Sequence, residues 1–292
     1  MEEMIMMKEE TTRQKAARIA LRTAIYFLLI LGAAILVFPY IWMVLTSLKD
    51  DYEAMSLTLK LFPEEKWHFA NYKEIWTVVP LIRGVMNTLI VEVSVIAIGT
   101  FVSSLAAFSF AKLKLRAKNF WLLFLMSGMM VPYAALMMPQ FRAFYALNMF
   151  DTLWPLILPG FFGNVSMMFF LIQYMKGISN SFFEAAKLDG AGYMRMFLSI
   201  MLPMIKTAIA AQVIFWFIGI WNDYFAPAIY LKSYETMTLQ PMMARINSNN
   251  SGGTNLPLIM AGSVLSSIPM FVIYVTCQKF FIESLAISGV KG

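Results

Sequence analysis

The sequence predicts an all-α integral membrane protein with six transmembrane helices. Three observations carry this. Of the 292 residues, 60% are hydrophobic and only 14% are charged, against roughly 25% charged in soluble domains. Mean hydropathy is +0.67. The apolar residues also fall into runs that reach the about 20 residues a helix needs to cross a hydrocarbon core. These runs are continuous rather than alternating, so they are not barrel strands. Lipid offers no partner to bare backbone amides, which leaves helices.

The elements follow in order. Residues 1–22 form a basic tail, and 23–48 form the first, uncharged span. That run is too long for the apolar region of a secretory signal, and no small-residue cleavage site follows Phe38-Pro39-Tyr40, so it is expected to stay. Residues 49–83 form an external loop with prolines, tryptophans and mixed charges, read as a small cap of short amphipathic pieces. The core, 84–281, holds five more spans. Span two, 84–111, carries only Glu92. Spans three, 119–141, and four, 152–175, are uncharged. Span five, 207–231, carries only Asp223, and span six, 256–278, is uncharged. A short tail, 282–292, ends the chain. Prolines 39, 132, 139, 155, 159, 227 and 269 lie in or beside spans and predict kinks.

Orientation follows from Lys and Arg. The first tail (Lys8, Arg13, Lys15, Arg18, Arg22), the 2–3 connection (Lys112, Lys114, Arg116, Lys118), the 4–5 connection (Lys176, Lys187, Arg195, Lys206) and the end (Lys279, Lys291) alternate along the chain with the less basic connections. The former set outnumbers the latter by nearly two to one, which places it, and both termini, in the cytoplasm. The pI near 9.3 therefore reports orientation, not nucleic-acid binding. Cys277 is the single cysteine and His68 the single histidine, which excludes an internal disulfide and offers no metal cluster.

The 4–5 connection contains a charged island, SFFEAAKLDGAGYMRMFLSIMLPMIK (181–206). Ser181 and Glu184 have the spacing of a capping box that would start a short helix over 182–189. Gly190 suits a left-handed cap. A second short piece over 193–200 follows, and Pro203 suits the first turn of span five. Helices this short are not stable alone and must dock on something. Ala185, Ala186, Gly190 and Gly192 keep a surface thin, and Glu184, Lys187, Asp189 and Arg195 can pair with a partner's charges. The mixed signs favour a protein partner over a lipid surface.

Glu184-Ala185-Ala186, Gly190, Ile200 and Leu202-Pro203 match every defined position of the loop that characterises ABC importer permeases, and the segment 181–203 resembles that loop. Phe38-Pro39-Tyr40-Ile41-Trp42, Asn71-Tyr72, Trp221-Asn222-Asp223 and the ending Gly289-Val290-Lys291-Gly292 are similar to the carbohydrate-uptake branch, on the maltose-type smaller-permease side. The connection 248–255, rich in Ser, Asn and Gly, departs from the acidic-aromatic character common there. The resemblance implies a type I ABC importer permease fold. It implies a heterodimer with a second permease, two copies of an ATPase subunit, an external solute-binding protein and a bacterial or archaeal plasma membrane. It implies that Glu184, Ala185, Ala186, Lys187, Asp189, Gly190, Arg195, Leu202 and Pro203 couple to the ATPase by alternating access, with Ser288, Gly289 and Lys291 as a second coupling candidate. The chain lacks a GxxxxGK[ST] phosphate loop, so no cofactor is expected on it. ATP and Mg belong to the partner ATPase, and the chain is expected not to be an enzyme.

Charges inside a membrane point to function. Asp223 lies about 24 Å into span five at 1.5 Å per residue, and Glu92 also lies in the outer half. With Trp221, Asn222 and Tyr224, and more weakly Tyr133, Gln140 and Asn164, they are the candidate substrate path. Aromatic rings stack on the apolar faces of sugars while amides and carboxylates bond the hydroxyls. Arg142, Lys232 and Arg245, outside the spans, suit an anionic sugar only weakly. The alternatives are an ion-coupled secondary transporter, which calls for internal repeats absent here, and an intramembrane enzyme, which calls for a nucleophile–base set.

Overall fold

The computed structural model describes residues 12–56, 58, 60–64, 66–248 and 255–289, with side chains from residue 17 to residue 279. Fifteen α-helices and no strand occur among the described residues: α1 Thr12–Thr46, α2 Asp51–Ala54, α3 Asn71–Val78, α4 Leu81–Lys112, α5 Lys118–Met129, α6 Tyr133–Ala146, α7 Trp154–Ile157, α8 Val165–Lys176, α9 Ser181–Leu188, α10 Tyr193–Met196, α11 Leu202–Met204, α12 Lys206–Trp221, α13 Phe225–Tyr230, α14 Leu239–Ser248 and α15 Leu256–Gly289. Four stretches are long and apolar enough to cross a membrane: Ala17–Thr46, Leu81–Lys112, Trp154–Lys176 and Leu256–Lys279. The expected six are reached when two bent pairs, α5 with α6 and the stretch Tyr193–Met204 with α12, each count as one. The end bearing Leu81 and Trp221 is called outer below, and the end bearing Lys112 and α9 inner.

The bends differ from what the apolar runs predict. Residues 119–141 read as one span, yet the chain turns by 90° between Met129 and Tyr133. Pro132 at the N-cap of α6 explains it, because a proline drives the residue before it out of the α region. Residues 207–231 also read as one span, but α12 stops at Trp221 and α13 starts at Phe225. By contrast, Pro39, Pro139 and Pro269 sit inside helices that continue through them.

The outer cap is built on α1's last turn. The final carbonyls of a helix have no partner within it. Asn71 Nδ2 donates to the Ser47 and Lys49 carbonyls at 2.9 and 3.1 Å, and the His68 amide donates to Leu48 O at 2.8 Å. The Tyr72 hydroxyl meets Ser47 Oγ at 2.6 Å. The Asn71-Tyr72 pair thus closes α1 and seats α3, whose Ile75 is fully buried. Most of α1 before this point presents Leu28, Leu36 and similar residues outward, as a lipid-facing helix does.

Helix α4 is the axis of the fold. Its inner end packs Ala107 and Phe108 with Met175, Phe197 and Met201, while the outer cluster gathers Trp221, Tyr230, Leu239 and Met242. Between them, Gly160 in a 3₁₀ turn (Leu158–Phe162) approaches so closely that a Cβ there would stand 2.8 Å from Val95 Cγ2. Gly163, at φ +89, then brings the Asn164 amide onto Ser103 Oγ at 2.7 Å. Asn164 Oδ1 caps α8 by accepting from the Met167 amide at 3.0 Å.

Candidate functional site

Two regions hold the predicted residues. The first is the inner connection. Helix α9 spans Ser181–Leu188, close to the expected 182–189, but the capping box does not form. Asn180 is the N-cap, in a helical conformation and without a side-chain cap bond, while Ser181 Oγ meets Ser179 Oγ at 2.8 Å. The C-terminus follows the expectation. Gly190 has φ +78, its amide donates to Lys187 O at 3.1 Å, and the Ala191 amide donates to Ala186 O at 2.9 Å. This pair of bonds is a Schellman motif, which requires the left-handed glycine.

The two faces of α9 differ. Ala186 is buried and Phe183 packs on the inner cluster, its ring 5.9 Å from Phe108. The thinness of Ala186 therefore serves this chain's own packing, not an outside surface. Glu184, Ala185, Lys187, Asp189 and Gly190 are exposed, as is Arg195. Leu188 is 90% exposed and Tyr193 58%. Composition concealed these two, since an apolar residue in an apolar chain carries no signal. After α10 a wide π turn, Phe197–Met201, leads into α11, where Leu202 is partly buried and Pro203 exposed. A 77° bend follows at Ile205 before α12 begins, so Pro203 opens the short α11 and not span five. Ser288 and Gly289 end α15 with side chains outside the described residues, and Lys291 lies outside them altogether.

The second region is a cavity of about 420 Å³ between α4, α6, α7, the 3₁₀ turn, α12 and α13. Its outer level has Thr88, Tyr133, Gln140, Asp223 and Thr238, and its inner level has Val91, Val95, Gly160 and Trp216. The inner level is tightly packed: a Cβ on Gly99 would overlap the Trp216 ring edge and stand 2.6 Å from Gly160 O. Asp223 sits in the break after α12, where its Oδ1 accepts from the Phe225 and Ala226 amides at 3.0 and 3.2 Å. It caps α13 and is not a mid-helix charge.

The other path candidates lie elsewhere. Trp221 is buried, stacks on Phe217 at 5.7 Å and donates from Nε1 to Ser266 O at 3.0 Å. Asn222 Nδ2 donates to Ile218 O at 2.8 Å, and Tyr224 is half exposed; neither lines the cavity. Glu92 is buried, is not on the cavity, and neither carboxylate oxygen has a partner among the described residues. Arg142, Lys232 and Arg245 do not line it either. Sequence reading missed Thr88 because small hydroxyls are common in spans, and Thr238 because it lies in the connection after span five.

The outer rim is held by two further devices. Thr88 Oγ1 donates to Gly84 O and accepts from the Leu239 amide, both at 2.9 Å, and Asn87 Nδ2 donates to the Glu235 and Met237 carbonyls at 2.9 Å. These bonds dock α14, an element the loop-like composition after Leu231 did not suggest. Asp151, at φ +56, accepts on Oδ1 from the Lys232 and Ser233 amides at 2.8 and 3.0 Å and from Thr236 Oγ1 at 2.5 Å. Burial pushes its carboxyl up, but these donors outweigh it and hold it down at about 2.

Comparison with known proteins gives consistent matches. A family model described as "Binding-protein-dependent transport system inner membrane component" matches residues 75–285. The chain is 29% identical to the arabinooligosaccharides transport system permease protein AraQ of Bacillus subtilis, over 93% of this chain and 96% of that one. It is 27% identical to the maltodextrin transport system permease protein MdxG of the same organism, over 94% and 98%. Among solved structures, one described as a bacterial ABC transporter involved in the import of the acidic polysaccharide alginate superposes with a TM-score of 0.79. It is 21% identical and covers 93% of this chain and 99% of that one.

Proposed function

Because the chain belongs to the family of binding-protein-dependent transport system inner membrane components, we propose that it works as one of two permeases in an ATP-driven importer of a sugar or oligosaccharide. In this reading its inner α9 docks on one of two ATPase subunits and its outer face receives a solute-binding protein. Both termini are cytoplasmic, and ATP and Mg act on the ATPase. The family match favours this over an ion-coupled carrier.

The observation that carries the reading is the two-faced α9. One face is anchored through Phe183 and Ala186, and the other leaves Glu184, Lys187 and Leu188 exposed. An exposed leucine flanked by charges suits an apolar pocket with a polar rim on a protein partner. When the ATPases close, a docked α9 moves with them and the helices behind it follow, a rigid-body transition.

The cavity supports a neutral sugar over an acidic one. It offers Tyr133, Gln140 and Asp223 to hydroxyls and the Trp216 ring to an apolar sugar face, with no Lys, Arg or His among the described residues that line it. A uronic acid would meet the Asp223 carboxylate without a cation. The test is reconstitution with the partner permease, ATPase and binding protein, measuring ATP hydrolysis and uptake of neutral and acidic oligosaccharides. Coupled uptake of a neutral sugar supports the proposal. Uptake driven by an ion gradient with no ATPase present contradicts it.

A further inference from the structure

Besides the chain's return through residues 177–180 into α8, two routes lead from α9 to the cavity. The covalent one runs through Gly190 and Gly192, a π turn and the 77° bend at Ile205 before it reaches α12. The backbone changes direction or helical pitch at each of these points. The other is a side-chain tie. Lys112, the last residue of α4, donates from Nζ to Ile178 O at 2.6 Å and to Asn180 Oδ1 at 2.9 Å, and its ammonium lies 5.3 Å from the centre of the Phe183 ring. Asn180 is the residue on which α9 starts: its carbonyl accepts from the Phe183 and Glu184 amides at 2.9 and 3.0 Å. One turn up α4, Phe108 packs on Phe183.

We infer that Lys112 is the positioning residue that carries the movement of α9 into α4, and that α4, rather than the covalent path into α12, delivers it to the cavity. Helix α4 is unbroken from Leu81 to Lys112 and contains no proline. Val95 lies 17 residues from Lys112, about 25 Å along the axis at 1.5 Å per residue, and lines the cavity. Lys112 holds the first turn of α9 by a carbonyl, an amide oxygen and a ring at once. A pull on α9 therefore translates α4 as a rod, shifting Val91 and Val95 against Gly160 and Trp216. The charge matters because bonds to an ammonium are stronger than neutral ones, and the ring contact adds to them.

The inference rests on the reading of α9 as the ATPase docking helix, and the experiment separates the two. Lys112→Met, Lys112→Arg, Asn180→Ala and the Met–Ala double variant are assembled in the complete complex in proteoliposomes. ATPase retention on gel filtration, basal hydrolysis and substrate-stimulated uptake are measured. Lys112→Met is expected to retain the ATPase and its basal hydrolysis while stimulated uptake falls at least tenfold. Lys112→Arg, which still donates to both oxygens, should recover half or more. The double variant should be no worse than Lys112→Met. Wild-type uptake by Lys112→Met, additive losses in the double variant, or loss of the ATPase together with uptake each overturn the role assigned to Lys112. A wild-type chain that retains no ATPase overturns the reading of α9 itself.

Discussion

Gly99→Ala probes the packed layer below the cavity. The added methyl would overlap the edge of the Trp216 ring and stand 2.6 Å from the Gly160 carbonyl oxygen, where non-bonded carbons prefer about 3.5 Å or more. Two neighbours must each give by roughly 1 Å, and one is backbone already held against Val95. Overpacking of this kind costs about 1–3 kcal/mol. The backbone contact puts the expected loss at the upper end, about 2–3 kcal/mol, which lowers the apparent melting temperature in detergent by roughly 5 °C or more. Trp216→Phe removes the offending ring edge, so the double variant should be more stable than the sum of the two single losses, a coupling that a double-mutant cycle reads directly. Gly32→Ala, with nothing within 4 Å of the new Cβ, is the control and should be neutral or mildly stabilising. A Gly99→Ala protein that melts with the wild type, or a cycle that is strictly additive, would refute the argument that Gly99 is pinched between the Trp216 ring edge and the Gly160 carbonyl.

Three further outcomes are expected. Thr88→Val leaves the buried Leu239 amide without its acceptor and should cost about 1–3 kcal/mol, seen as a lower melting temperature with α14 exchanging its amide hydrogens sooner. Asp151→Asn weakens a carboxylate with three donors and should cost about 1–2 kcal/mol at neutral pH. Because the folded carboxyl sits at about 2 and an ordinary aspartate near ~3.9, that advantage is present above about pH 4 and is lost as pH falls towards 2. The melting curves of the two proteins should therefore converge over that window, and a constant gap would refute the assignment. Gln140→Leu, which removes a polar group from the cavity, should raise the sugar concentration for half-maximal uptake several-fold while leaving basal ATP hydrolysis unchanged.

What was legible in the sequence followed physical uniqueness. Gly190 stands out because only glycine takes φ +78 cheaply, and a charged island in an apolar chain announces itself. Six apolar runs were legible as spans, and Pro132 marked the first interruption, but not the second: Asn222-Asp223-Tyr224 turns the chain inside a run that hydropathy treats as continuous. Trp221 was read as a substrate contact because of its type and position. In the structure its ring stacks on Phe217 and its N–H is spent on the Ser266 carbonyl. The cavity is assembled from residues as far apart as Thr88 and Thr238, each unremarkable alone, and the Lys112 tie spans 66 and 68 positions. Periodicity cannot reveal such long-range pairs.

The central claim, that α9 is where an ATPase engages this chain, is tested most directly at Leu188. This residue is 90% exposed and packs against nothing in the chain's two main clusters, so Leu188→Asp should leave the melting temperature of the isolated permease pair unchanged. The measurement is the amount of ATPase that co-purifies with the permeases as salt and ATPase concentration are held fixed. The account predicts that Leu188→Asp loses most of the ATPase retained by the wild type, with stimulated hydrolysis lost in parallel. Full retention with undiminished coupled hydrolysis would contradict it.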